Sequence, residues 1–162
     1  GSFGISGQRF DSAGDSLGGE FRVNTYTTGA QSGPAVGANA SGAFVVVWNG
    51  QDGSQSGVFG PRFTTLGAPV GPVFRVNTTV VGYQTTPAVA VAPSGGFLIA
   101  WSDAQGYAPP SPGDVFAQRY DRSGVPQGPQ FRVNTYTTGW QDNVSVAADA
   151  ADNFVVVWTS GY

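Results

Sequence analysis

PAVAVAPSGGFLIAWS, residues 87–102, decides how the rest of the chain is read. Two apolar runs flank Pro-Ser-Gly-Gly, which is a hairpin signal. The second run, 97–101, is apolar at every position, as in a strand covered on both faces. The same kind of run recurs at 44–48 and 154–158, each time ending in Trp. Downstream of residue 102, DVFAQRYDRSG (114–124) alternates: Val115, Ala117 and Arg119 point one way, Phe116, Gln118 and Tyr120 the other. Its closing Asp-Arg-Ser-Gly is a turn. Then comes QFRVNT (130–135), with Phe131 and Val133 opposite Arg132 and Asn134. No stretch has a 3.6-residue period, so each unit reads as four short antiparallel strands, a to d. Strand b is central and d is polar and outermost.

The units repeat. FRVNT stands at 21–25, 74–78 and 131–135, and residues 21–48, 74–101 and 131–158 align without a gap. Arg9, Arg62 and Arg119 each precede the next FRVNT Phe by 12 positions. Only the stretch between Trp and that Arg varies, from 14 positions (Trp48 to Arg62) to 18 (Trp101 to Arg119). The chain divides into a half unit (1–20), two repeats (21–73 and 74–130) and a second half unit (131–162). Periods of 53 and 57 residues mean stacked or radial supersecondary units. Four-stranded units with a Trp closing an apolar strand are expected to be propeller-type blades. In that reading the initial c-d and final a-b strands are halves of one shared, velcro-like sheet, and either two chains close a six-bladed ring or the chain is a piece of a longer array. A β-trefoil or β-prism is the alternative for three units. Covered b strands favour the propeller.

Composition narrows the chemistry. The 162 residues are 40% hydrophobic and 10% charged, the latter well below the usual ~25%. Cys, His, Met and Lys are all absent, and the seven cations are Arg. Disulfides, thiolate zinc sites and imidazole chemistry are therefore excluded. Net charge −3 with scattered signs is wrong for nucleic acid or an anionic membrane surface. No apolar run is long enough to insert as a membrane helix. A chain with little to oxidise, rich in Gly, Ser, Thr and Asn, is expected outside the cell. It shows no signal peptide and no initial Met, and reads as a mature product or an excised piece.

QDGSQSGVFGPRFTTLGAPVGPVFRVNT (51–78) and GEFRVNTYTTGAQSGPAV (19–36) resemble the tandem repeats of large secreted or surface bacterial proteins. The resemblance implies propeller-like modules in adhesin-type giants and carries no catalytic residues. The AQGYAPPSPGD loop (104–114) departs from that pattern.

In a propeller the d-to-a and b-to-c loops share one face, where ligands bind. Here they carry Tyr26, Tyr83, Tyr107, Tyr136 and Trp140 beside Gln31, Gln84, Gln141, Asp103 and Asp142. Rings to stack on a sugar face and amides or carboxylates for its hydroxyls make this a candidate glycan site. The competing reading gives the repeated Gln to turns and backbone groups. The repeated Arg are assigned to stem packing and to bonds with carbonyls or Asn. No cofactor is expected. Calcium is a minor option at Asp52-Gly53-Ser54 and Asp103, short of the oxygens such a site needs. One Glu, no His and no aligned acid pair argue against an enzyme. The expected function is a structural or adhesive module that self-associates, as a homodimer or head to tail, with carbohydrate binding as the alternative.

Overall fold

The computed structural model describes residues 4–25, 29–51, 56–104 and 113–161. Every regular element among them is a strand: β1 (Ser6–Gly7), β2 (Phe21–Arg22), β3 (Gln31–Ala38), β4 (Phe44–Gln51), β5 (Ser56–Phe63), β6 (Pro69–Arg75), β7 (Tyr83–Val91), β8 (Phe97–Ala104), β9 (Gly113–Tyr120), β10 (Phe131–Arg132), β11 (Gln141–Ala148) and β12 (Phe154–Ser160). The all-β expectation holds. β3-β4-β5-β6 and β7-β8-β9-β10 are antiparallel meanders in the a-b-c-d order, joined by one parallel bridge, Ser56↔Tyr83. β1-β2 and β11-β12 are separate two-stranded sheets.

Apolar faces stack these sheets in chain order. Ile5 and Val23, from the β1-β2 layer, pack with Val46, Trp48 and Phe63. Val45, Val47 and Val58 meet Val89, Ile99 and Trp101 across the next interface. Leu98, Ala100 and Val115 face Val146, Val156 and Trp158 across the third. Each b strand thus turns alternate side chains to the layers before and after it. That is why β8, with a layer on either side, is buried along its whole length. Within a meander the first b residue stacks on the last aromatic of c: Phe44 on Phe63 at 4.7 Å, and Phe97 on Tyr120 at 4.8 Å.

Local chemistry follows the same repeat. Two of the three c-to-d turns are Asx turns: Asp11 Oδ1 accepts from the N–H of Ala13 and Asp15, and Asp121 Oδ1 from Ser123 and Val125; in the middle unit the Thr64 hydroxyl accepts from the Ala68 N–H instead. Every a strand bulges at one place, between Ser32 and Ala35, Thr85 and Ala88, and Asp142 and Ser145. The residues there with positive φ are Gly33 (60°), Thr86 (46°) and Asn143 (55°). Gly and Asn suit that conformation, whereas the β-branched Thr86 is strained in it.

Three expectations need correction. The polar outer d strand is only partly right: ladder pairing stops at Arg22 and Arg132, and Asn24, Asn77 and Asn134 turn inward to 1–3% exposure. The b strand of the last unit is not covered on both faces, since Val155 and Val157 are each 57% exposed with no layer following them among the described residues. Among the described residues the two half units do not share a sheet, because both whole meanders lie between them; there β1 pairs only with β2, and β12 only with β11.

Candidate functional site

Asn of FRVNT explains the pentapeptide. Val23, Val76 and Val133 donate their N–H to the carbonyls of Ile5, Val58 and Val115 at 2.8–2.9 Å. One residue on, Asn24, Asn77 and Asn134 use Oδ1 to accept the N–H of those same c residues at 2.7–2.8 Å. The Asn side chain replaces the next ladder carbonyl while the backbone leaves the sheet for the d-to-a loop. Asn77 and Asn134 also donate from Nδ2 to the Thr79 and Tyr136 carbonyls, which fixes that loop.

The repeated Gln stand first or second in the a strands and lie inside. Gln31, Gln84 and Gln141 are 3%, 0% and 1% exposed. Gln31 Oε1 accepts the Trp48 indole N–H at 2.7 Å, and Gln141 Oε1 that of Trp158 at 3.0 Å. In the middle unit Gln84 Oε1 accepts instead from Asn77 Nδ2, and its own Nε2 donates to the Val81 carbonyl and, at 3.4 Å, to Asp103 Oδ1. The fully buried Trp101 Nε1 has no hydrogen-bond partner among the described residues. The structure therefore places all three Gln in the interior rather than on the loop surface, with Gln31 also lining a cleft of about 430 Å³ beside Trp48, Phe59 and Arg75.

The remaining candidates divide. Tyr26 and Tyr107 lie outside the described residues, as do Asp52, Gly53 and Ser54. Tyr83 is half-buried, pairing with Ala104 and bridging to Ser56. Asp103 is 5% exposed and faces Asp114 across the β8-β9 ladder. Burial pushes its carboxyl above the ordinary range, with the Gln84 amide opposing and the Asp114 charge adding to the rise. Tyr136 is 46% exposed. Trp140 is half-buried, its backbone carbonyl accepting the Gly161 N–H, and its indole N–H has no partner among the described residues.

Asp142 does more than the sequence signalled. Its Oδ1 accepts from the hydroxyls of Thr86 at 2.8 Å and Ser102 at 2.7 Å, tying β7 and β8 to β11. Sequence reasoning missed Thr86 and Ser102. The one available signal was Thr86 aligning with Gly33 and Asn143, a β-branched residue in a left-handed place. Nearby, Asp114 accepts from Asn134 Nδ2 at 2.7 Å and meets the Arg132 guanidinium at 3.5 Å. The cluster is rich in hydroxyls and carboxylates, but its donors and acceptors are directed at each other.

The Arg assignments agree with bonds to backbone. Arg9 donates to the Thr65 and Leu66 carbonyls at 2.9 and 2.6 Å, and Arg62 to the Arg122 carbonyl at 2.9 Å. Arg75 lies 5.9 Å over the Phe59 ring. Among the described residues no three acidic side chains gather as a metal site would require. No known family model matches the chain, and no curated protein is similar to it in sequence.

Proposed function

We propose that the chain is a non-catalytic structural or adhesive repeat module of a secreted or surface bacterial protein, its units arranged as propeller-type blades. Self-association through the sheet edges of its half units is its activity, and two chains closing six blades is the simplest assembly. The observation that carries this reading is where the repeated polar side chains go. Gln31 and Gln141 hold Trp; Asn24, Asn77 and Asn134 hold backbone; Arg9 and Arg62 hold the turn of the next unit. A sequence that spends its recurring polar groups on joining layers is built for rigidity and stacking rather than for turnover.

Carbohydrate binding is the second reading, favoured by Tyr136 standing exposed near the Trp140 loop. A glycan array decides between them, with Tyr26→Ala and Tyr136→Ala as controls. No binding at millimolar sugar is expected. A glycan bound by the parent chain and lost in both variants would replace the scaffold reading.

A further inference from the structure

We infer that β12 of one chain docks antiparallel on β1 of a second copy, completing a four-stranded β11-β12-β1-β2 sheet in the register Phe154↔Phe10, Val155↔Arg9. This gives the edge-to-edge self-association proposed above a defined joint, and it rests on that reading.

The joint is already made twice inside the chain. β4 meets β5 as Phe44↔Phe63 and Val45↔Arg62, and β8 meets β9 as Phe97↔Tyr120 and Leu98↔Arg119. The repeat alignment carries that pairing to Phe154 with Phe10 and Val155 with Arg9. Both edges are unpaired among the described residues, and the side chains beside them have the exposure of a joint left open. Phe10 is 61% exposed, where Phe63 and Tyr120 are 4% and 5%. Val36 is 65% exposed, where Val89, at the same place one unit later, is 7%. Val155 and Val157 are 57% exposed, where Val45 and Val47 are 4% and 0%. A cleft of about 600 Å³ lies between Ile5, Phe10, Phe21, Val36, Phe44 and Val46, apolar and open, in the place where Val155 and Val157 of the arriving strand belong.

A polar feature independent of these faces agrees. Arg9 and Arg62 reach forward to the c-to-d turn of the next unit, and their side chains fill the space over Gly67 and Gly124, at 3.0 and 2.7 Å from where a Cβ would stand. Arg119 holds the same position in the last whole meander and is exposed. Among the described residues nothing lies within 4 Å of a Cβ placed on Gly14, in the turn of the first half unit. Docking in the stated register brings Arg119 of one copy to the 11–14 turn of the other, where the Ser12 and Ala13 carbonyls match those of Thr65 and Leu66. Aromatic, aliphatic and guanidinium partners thus all call for the same occupant, a second copy of this chain.

The test uses the 162-residue chain, which has no Cys of its own. Light scattering across concentration should give masses above 16.7 kDa, as a closed dimer or as a ladder of multiples. Val157→Asp, at a site exposed in the single chain, should leave circular dichroism unchanged and weaken association by at least about tenfold, because docking would bury an unpaired charge. Mixing single-Cys Arg9→Cys and Val155→Cys chains should yield a disulfide-linked pair on mild oxidation, while Gln8→Cys with Val155→Cys, whose side chains point to opposite faces, should not. Association that survives Val157→Asp, or that cross-links in another register, overturns this joint and leaves self-association standing. A chain that stays at 16.7 kDa at millimolar concentration overturns both.

Discussion

Asn77 Oδ1 accepts the backbone N–H of Val58 at 2.8 Å, nineteen residues back along the chain, and is 2% exposed. The same pair recurs as Asn24 with Ile5 and Asn134 with Val115. Asn77→Ala should cost about 1–3 kcal/mol, because it strands a buried donor in the middle of the stack. Urea unfolding measures it through a lower midpoint at unchanged slope. A midpoint equal to the parent's would mean that the Asn of FRVNT does not recur for the sake of this bond.

Trp48 and Trp101 occupy equivalent places with different partners. The Trp48 indole donates to Gln31, whereas the Trp101 N–H has no partner among the described residues. Trp→Phe removes similar packing at both and a hydrogen bond at only one. Trp48→Phe should therefore be the costlier of the two by about 1 kcal/mol. Parallel denaturation curves of the two variants check it, and the reverse order would contradict the hydrogen-bond assignment.

Asp103 links stability to acid pH. Its folded-state pKa is raised above the ordinary 3.8 by burial, so its contribution is fully present below that value and is lost as pH rises through the folded one. Asp103→Asn should melt at a higher temperature than the parent at neutral pH, and the advantage should close as the pH approaches 3.8. Thermal melts across the acid range follow the difference; a constant offset at every pH would exclude titration as its cause.

Tyr120, stacked on Phe97, has its phenol pushed up to about 12 by burial. A raised pKa means stability is lost between the ordinary 10.0 and about 12, as the unfolded chain ionises first. Phenolate absorbance should show a step at about 12, and Tyr120→Phe should abolish that late step.

Depth in the stack sets the cost of truncation. Ile99 is 0% exposed between two layers, and Val157 is 57% exposed at the end of the stack. Ile99→Ala should cost about 2–5 kcal/mol, through lost contact and a cavity. Val157→Ala should stay within about 0.5 kcal/mol in the single chain at dilute concentration. Chemical denaturation gives both values.

Much of the architecture is legible in the sequence. Strand order, hairpin turns and the alternation of Val115 and Phe116 follow from period-two patterning and turn chemistry, both of which are local. The candidate site is less legible. Gln31, Gln84 and Gln141 recur because each is buried at the start of an a strand, and recurrence alone cannot distinguish an interior polar group from a binding one. Asp142 gains its Thr86 and Ser102 donors from a neighbouring layer some forty to fifty-six residues away, which nothing in the local sequence announces.

Phe-Val-Val-Val-Trp stands at both 44–48 and 154–158. The pentapeptide by itself determined a strand carrying a Trp for a Gln to hold, and both copies obey. Only the tertiary structure decided that Val47 is 0% exposed and Val157 57%. A strand's own residues set which side chains share a face, but whether that face leaves water depends on the layer stacked against it.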